Sequence, residues 1–151
     1  MAQLAAEGTA ASSPVTGFSH VQLVVTDLDR SEHWYARVLG LERLVADEDA
    51  GYVALRHRPG AMVIVLTRAP DGPAPAPDGC LDHLAFSVPD GPSLEAWARQ
   101  LTVWGIEHAG VVDELGKPSL VLTDPDGVSI ELVAPPGTFR PGVGGRGPSV
   151  S

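Results

Sequence analysis

The chain has 151 residues, enough for one ordinary domain or for two small modules sharing a core, and 44% of them are hydrophobic, which is ample for packing without staples. Nineteen acidic against ten basic residues leave a net charge of −9, which disfavours nucleic acid and anionic membrane surfaces as partners. The single cysteine, Cys80, excludes an internal disulfide, and with no signal-like start and no run of roughly 20 apolar residues the expectation is a cytoplasmic protein that stays out of the membrane.

Residues 1–16, rich in Ala, Ser, Thr and Gly, read as a flexible arm, so the fold is expected to start near Gly17. Residues 18–26 read as a strand with His20, Gln22 and Val24 on one face and Val21, Leu23 and Val25 on the other. Asp29 or Ser31 can cap a helix running to Leu39, with Trp34, Val38 and Leu39 at core spacing and Gly40 as its stop. Strands follow near 41–46, 51–56 and 61–67, the last two joined by a turn at Arg58-Pro59-Gly60.

Residues 69–79, dense in Pro, Asp, Gly and Ala, read as a linker whose prolines forbid a regular helix. A strand at 81–88 leads to a helix opening between Asp90 and Ser93, where Leu94, Trp97, Ala98, Leu101 and Trp104 share one face. Strands near 108–112, 119–123 and 128–133 complete the order, with Asp124-Pro125-Asp126-Gly127 as a tight turn. Residues 137–151 read as a flexible tail. The domain therefore spans 17–136, as module one (17–68), the linker and module two (80–136), each β-α-β-β-β.

The modules are copies. Shifting the chain by 63 positions lays His20 on His83, Asp27 on Asp90 and Trp34 on Trp97. A shift of 66 lays Val63-Ile64-Val65-Leu66 on Ser129-Ile130-Glu131-Leu132, and Gly40-Leu41-Glu42 recurs as Gly105-Ile106-Glu107. Only the second copy keeps a carboxylate, because Val65 stands where Glu131 stands. Two imidazoles and one carboxylate from separate strands, His20, His83 and Glu131, can close on one divalent metal and leave coordination positions open, the usual form of a catalytic centre. Fe, Mn, Ni, Co and Zn all accept this donor set.

Other residues carry plainer readings. Trp34 and Trp97 are expected to anchor each helix to its sheet, Asp27 and Asp90 to serve as turn or cap residues, and His33, His57 and His108 to lie at the surface.

The tandem repeat, the phrase HVQLVVTDLDRSEHWYARVLGLE, the HLAFSV strand and the closing DPDGVSIELV together resemble the vicinal oxygen chelate superfamily, which includes glyoxalase I, bleomycin-resistance proteins, extradiol dioxygenases, methylmalonyl-CoA epimerase and fosfomycin-resistance thiol transferases. The resemblance covers about residues 17–136. It implies an α+β fold in which two βαβββ modules form an open, half-barrel-like sheet around a metal, with His20, Val65, His83 and Glu131 at the four ligand positions. It also implies a small-molecule substrate with neighbouring oxygens, and a homodimer. Val65 points away from glyoxalase chemistry, since an alkyl group cannot bind a metal, and Val121 stands where ring-cleaving and fosfomycin-resistance members carry a tyrosine. Gln22, Val65, Ser119 and Val121 are expected to face the substrate. Proton transfer falls to Glu131, to solvent at the metal or to the substrate itself. The competing expectation is a bleomycin-resistance-like protein that sequesters an antibiotic or aromatic metabolite.

Overall fold

The computed structural model describes residues 18–70, 81–114 and 116–137. The expected arm, most of the linker, Cys80 and the tail beyond Gly137 lie outside the described residues.

Each half contributes one helix and one four-stranded sheet. Module one runs β1 (Val21–Val25), α1 (Leu28–Leu39), β2 (Glu42–Asp47), β3 (Tyr52–His57) and β4 (Met62–Arg68). Module two runs β5 (Leu84–Ser87), α2 (Gly91–Val103), β6 (Val112–Glu114), β7 (Lys117–Thr123) and β8 (Ser129–Val133). The strand orders are β1-β4-β3-β2 and β5-β8-β7-β6, with the first strand of each module parallel to its last. This is the expected α+β architecture of two βαβββ units, and neither sheet closes on itself.

The register confirms the repeat residue by residue. Gln22 lies opposite Val65 in the β1–β4 ladder, and the equivalent Ala85 lies opposite Glu131 in the β5–β8 ladder. Both helices use an aspartate at the N-cap: Asp27 accepts from the Arg30 amide at 3.0 Å and Asp90 from the Ser93 amide at 2.7 Å. Each satisfies an amide with no partner inside the helix. The α1 cap is thus Asp27 rather than Asp29 or Ser31, and Ser31 is buried. Gly40 and Gly105 repeat the other end, both at positive φ where a side chain would be strained.

One hydrophobic cluster joins the modules. Tyr35, Val38, Leu55 and Ile64 of module one and Leu94, Leu101, Leu120 and Ile130 of module two belong to it, all essentially inaccessible. Burying each such side chain contributes about 1.5–3 kcal/mol. Tyr35, rather than Trp34, is the fully buried aromatic of α1, because it shares a face with Ser31 and Val38. Trp34 and Trp97 are half-buried against the cluster, and the Trp97 indole donates to the Val38 carbonyl at 3.2 Å, tying α2 to α1.

A polar clamp reinforces this contact. The turn between β7 and β8 docks on the β1–α1 junction: Tyr35 donates to Asp124 at 2.7 Å, while Asp126 accepts from the Thr26 amide and hydroxyl, from Ser31 and from Arg30. Asp124 also accepts from the Asp126 and Val128 amides at 2.9 and 2.8 Å, so both oxygens of its buried carboxylate are hydrogen-bonded. The expected tight turn is therefore also an inter-module joint.

Two expectations shift. The strand expected near 108–112 begins at Val112, because His108 is not a free surface residue. Its ring reaches the Ala98 carbonyl at 2.9 Å and accepts from the Gly110 amide, which holds 106–110 against α2 as a loop. At the start of the domain the ladder opens at Val21↔Ile64, so Phe18, Ser19 and His20 precede β1.

Candidate metal centre

Alternation along the strands gives each sheet a helix-covered face and an opposite face. In module one Leu23, Val25, Ile64 and Leu66 are buried against the helix, so Gln22, Val24, Val65 and Thr67 share the other side. Gln22 is braced there by donating to Thr67 Oγ1 at 2.7 Å. In module two Leu122, Ile130 and Leu132 are buried, and Ala85, Val121, Ser119 and Glu131 take the opposite face. Val121 is the cross-strand neighbour of Glu131, and Ser119, nearly buried, pairs with Val133 one step along. All four residues expected to face substrate thus lie on the faces opposite the helices, two in each module.

His83 and Glu131 meet. His83 immediately precedes β5, and its Nε2 lies 3.3 Å from Glu131 Oε2. Two atoms bound to one divalent ion at about 2.0–2.2 Å lie roughly 2.8–3.6 Å apart across the angles of octahedral and tetrahedral sites, so this pair is spaced as neighbouring ligands. The other ring nitrogen, Nδ1, donates to Asp82 Oδ2 at 2.6 Å. That hydrogen bond raises the His83 pKa above its ordinary value, desolvation opposes the rise, and the charges of Asp82 and Glu131 add to it. In the metal-free protein the same two contacts therefore favour a proton where a metal ion would sit.

His20 occupies the equivalent place in module one, just before β1, with Nδ1 3.1 Å from Ser19 Oγ. It does not join His83 and Glu131: among the described residues no group of three His, Cys, Asp or Glu side chains is arranged around one point. The chain thus brings together two of the three expected ligands, and the third lies at the edge strand of the other sheet.

An open groove of about 900 Å³ runs between the modules, lined mostly by apolar side chains such as Phe18, Met62, Phe86 and Trp97, with His57 and His83 among its few polar points. Sequence reasoning did not find this groove, since its lining is assembled from both halves. It also passed over Asp82, whose signal was its place beside a candidate ligand.

A family model described as Glyoxalase/Bleomycin resistance protein/Dioxygenase superfamily matches residues 17–132. The metallothiol transferase FosB of Staphylococcus epidermidis is 28% identical over 120 residues, covering 78% of this chain and 81% of that one. The crystal structure of a glyoxylase/bleomycin resistance protein/dioxygenase domain from Frankia sp. EAN1pec superposes with a TM-score of 0.70 at 26% identity, covering 83% of this chain and 96% of its own. A mutant of the fosfomycin resistance protein FosX from Listeria monocytogenes, complexed with Mn(II) and 1S,2S-dihydroxypropylphosphonic acid, superposes with a TM-score of 0.66 at 18% identity, covering 80% and 92% of the two chains, which supports the fold. Among the described residues no helix is long and apolar enough to cross a membrane.

Proposed function

Because the chain belongs to the glyoxalase/bleomycin resistance protein/dioxygenase superfamily, we propose that it is a metal-dependent enzyme acting on a small molecule that presents two neighbouring oxygens. The observation that carries this reading is the ligand-like spacing of His83 Nε2 and Glu131 Oε2. The donor set, imidazole and carboxylate, suits Fe, Mn, Ni, Co or Zn. Such an ion, one per chain, would supply Lewis-acid stabilisation of developing charge on the substrate oxygens.

The remaining work falls to this chain's residues. Glu131, half-buried beside His83, is the carboxylate placed to take or return a proton at the substrate. Val65 and Val121 present alkyl groups on the two faces, while the exposed Gln22 offers a polar contact to a bound molecule and Ser119, almost wholly buried, stands beneath that surface. With Val65 contributing no oxygen, more coordination positions stay open to substrate than in a four-ligand centre.

We further propose that His20 completes the centre from a second copy of the chain, in a homodimer. Two features support this: β1 and β5 lie at the ends of their sheets, and the faces opposite the helices expose Val24 (40%) and Val121 (47%), apolar surface that association would cover. Mixed subunits provide the test. When His20→Ala and His83→Ala chains are combined, each hybrid dimer regains one intact site, so a quarter of the parental metal content should return after random reassortment. A monomeric mass by light scattering, or no recovery on mixing, would refute the shared centre.

Val65→Glu gives a second expected outcome. A carboxylate opposite Gln22, where Glu131 stands opposite Ala85, should raise metal affinity and enlarge the thermal stabilisation that added metal confers. A variant that is simply less stable, with no larger metal-dependent shift, would mean that position 65 serves packing alone.

The apolar groove favours a second reading, in which the chain binds and sequesters an aromatic molecule. Quenching of tryptophan fluorescence by an aromatic ligand in chelator-treated protein would support it, because Trp97 lines the groove.

A further inference from the structure

The residue before each candidate ligand histidine makes the same contact in both modules. Ser19 and Asp82 are equivalent positions of the repeat, 63 residues apart like His20 and His83. Ser19 Oγ lies 3.1 Å from His20 Nδ1, and Asp82 Oδ2 lies 2.6 Å from His83 Nδ1. Neighbouring side chains in a strand point to opposite faces and cannot meet in this way. They meet here because both pairs precede their strands, β1 opening at Val21 and β5 at Leu84, where the backbone is free of the ladder. One local device is thus present twice, engaging Nδ1 of each ring and, in module two, leaving Nε2 toward Glu131.

We propose that Asp82 is a positioning residue: by accepting the Nδ1 proton of His83 it fixes the tautomer and ring orientation that present Nε2 to a divalent metal. Ser19, whose uncharged hydroxyl can either accept from or donate to His20 Nδ1, is the weaker counterpart. The inference rests on the metal-centre reading above. A carboxylate on the far nitrogen also makes the imidazole a stronger donor, and removing such partners commonly weakens metal binding by 10–100-fold. The duplicated device therefore assigns unequal strengths to the two imidazoles, His83 the tighter and His20 the looser.

Competition titration of the full chain with Zn(II) or Co(II) against a chromogenic chelator tests this. Asp82 is 95% exposed, so its replacement leaves the core intact. Asp82→Ala should weaken affinity by roughly 10–100-fold, Asp82→Asn, which retains an acceptor, should fall between, and Ser19→Ala should lose less than Asp82→Ala. Nitrogen NMR of the metal-free protein, at a pH where the His83 ring is neutral, supplies a readout independent of loading: the parent should carry the His83 proton on Nδ1, and Asp82→Ala should move it toward Nε2, which faces Glu131. Parental affinity together with an unchanged tautomer in Asp82→Ala overturns the proposal. His83→Ala separates the two ideas, since its loss of metal alongside an unaffected Asp82→Ala keeps the metal centre and removes only the role of Asp82. Undiminished binding by His83→Ala removes the metal centre itself, and the proposal with it.

Discussion

His83→Ala should reduce divalent-metal affinity by roughly 100-fold or more, the size expected when one ligand is lost from a site whose few donors share the whole binding free energy. The ring contributes Nε2 at ligand spacing from Glu131, and no other imidazole shares that spot among the described residues. Protein purified without chelators should hold one divalent ion per chain by elemental analysis, and the variant almost none. Glu131→Gln should follow the same course, because an amide is a poor anionic ligand and cannot shuttle a proton. Thermal unfolding offers a second view: added metal should raise the parent's midpoint and leave both variants unmoved. Equal metal content in parent and His83→Ala would sink the assignment.

Asp124→Ala should produce the largest loss of stability. The substitution strips partners from the Tyr35 hydroxyl and from the Asp126 and Val128 amides together, three donors in the joint between the modules. At about 1–3 kcal/mol for each donor left unsatisfied, partly relieved by entering water, the total is about 3–4 kcal/mol, a fall in Tm of about 10–15 °C. Tyr35→Phe removes a single bond and should cost about 1–2 kcal/mol. Thermal unfolding of the three proteins at neutral pH checks the order, and an Asp124→Ala midpoint within about a degree or two of the parent would show that the clamp is ornamental.

The same contact has a pH signature. Burial, reinforced by the negative charge of Asp124 and its hydrogen bond, pushes the Tyr35 phenol well above its usual value. A group whose pKa is raised on folding contributes stability that is complete below its unfolded pKa and is lost as pH climbs beyond it. Tyr35 should therefore hold its full contribution up to about pH 10 and then cost the fold about 1.4 kcal/mol for each further pH unit. Tyr35→Phe should lack this alkaline component, so the gap between parent and variant should narrow from pH 9 to pH 11.

Periodicity and self-similarity made the element order and the positions of the candidate ligands His20, His83 and Glu131 legible. A strand pattern fixes which face a residue takes, so the equivalence of Val65 and Glu131 could be read from an offset and reappears in the ladders. What periodicity cannot carry is contact between elements far apart in the chain. Tyr35 and Asp124 are separated by 89 positions, and nothing local in α1 distinguishes a tyrosine that meets a carboxylate from a tryptophan on the adjoining face. The late start of β6 has a similar cause: the His108 ring, bonded to the Ala98 carbonyl within α2, holds the preceding segment as a loop, a contact that no local pattern shows. The distance of His20 from His83 was equally out of reach, because it depends on how the two modules dock.

The matched ladders also bear on how such a protein can change. Gln22, Val65 and Thr67 occupy the places that Ala85, Glu131 and Val133 occupy in the other half, and none of the three supplies a carboxylate as Glu131 does. Under the proposed function one half is thereby committed, since altering His83 or Glu131 removes a proposed donor. In the other, His20 apart, positions 22, 65 and 67 carry no such constraint. Substitutions at 22, 65 and 67 change the sheet face opposite α1 while leaving the proposed donors His83 and Glu131 in place, so under the proposed function a library confined to those three positions is the economical place to look for altered substrate preference.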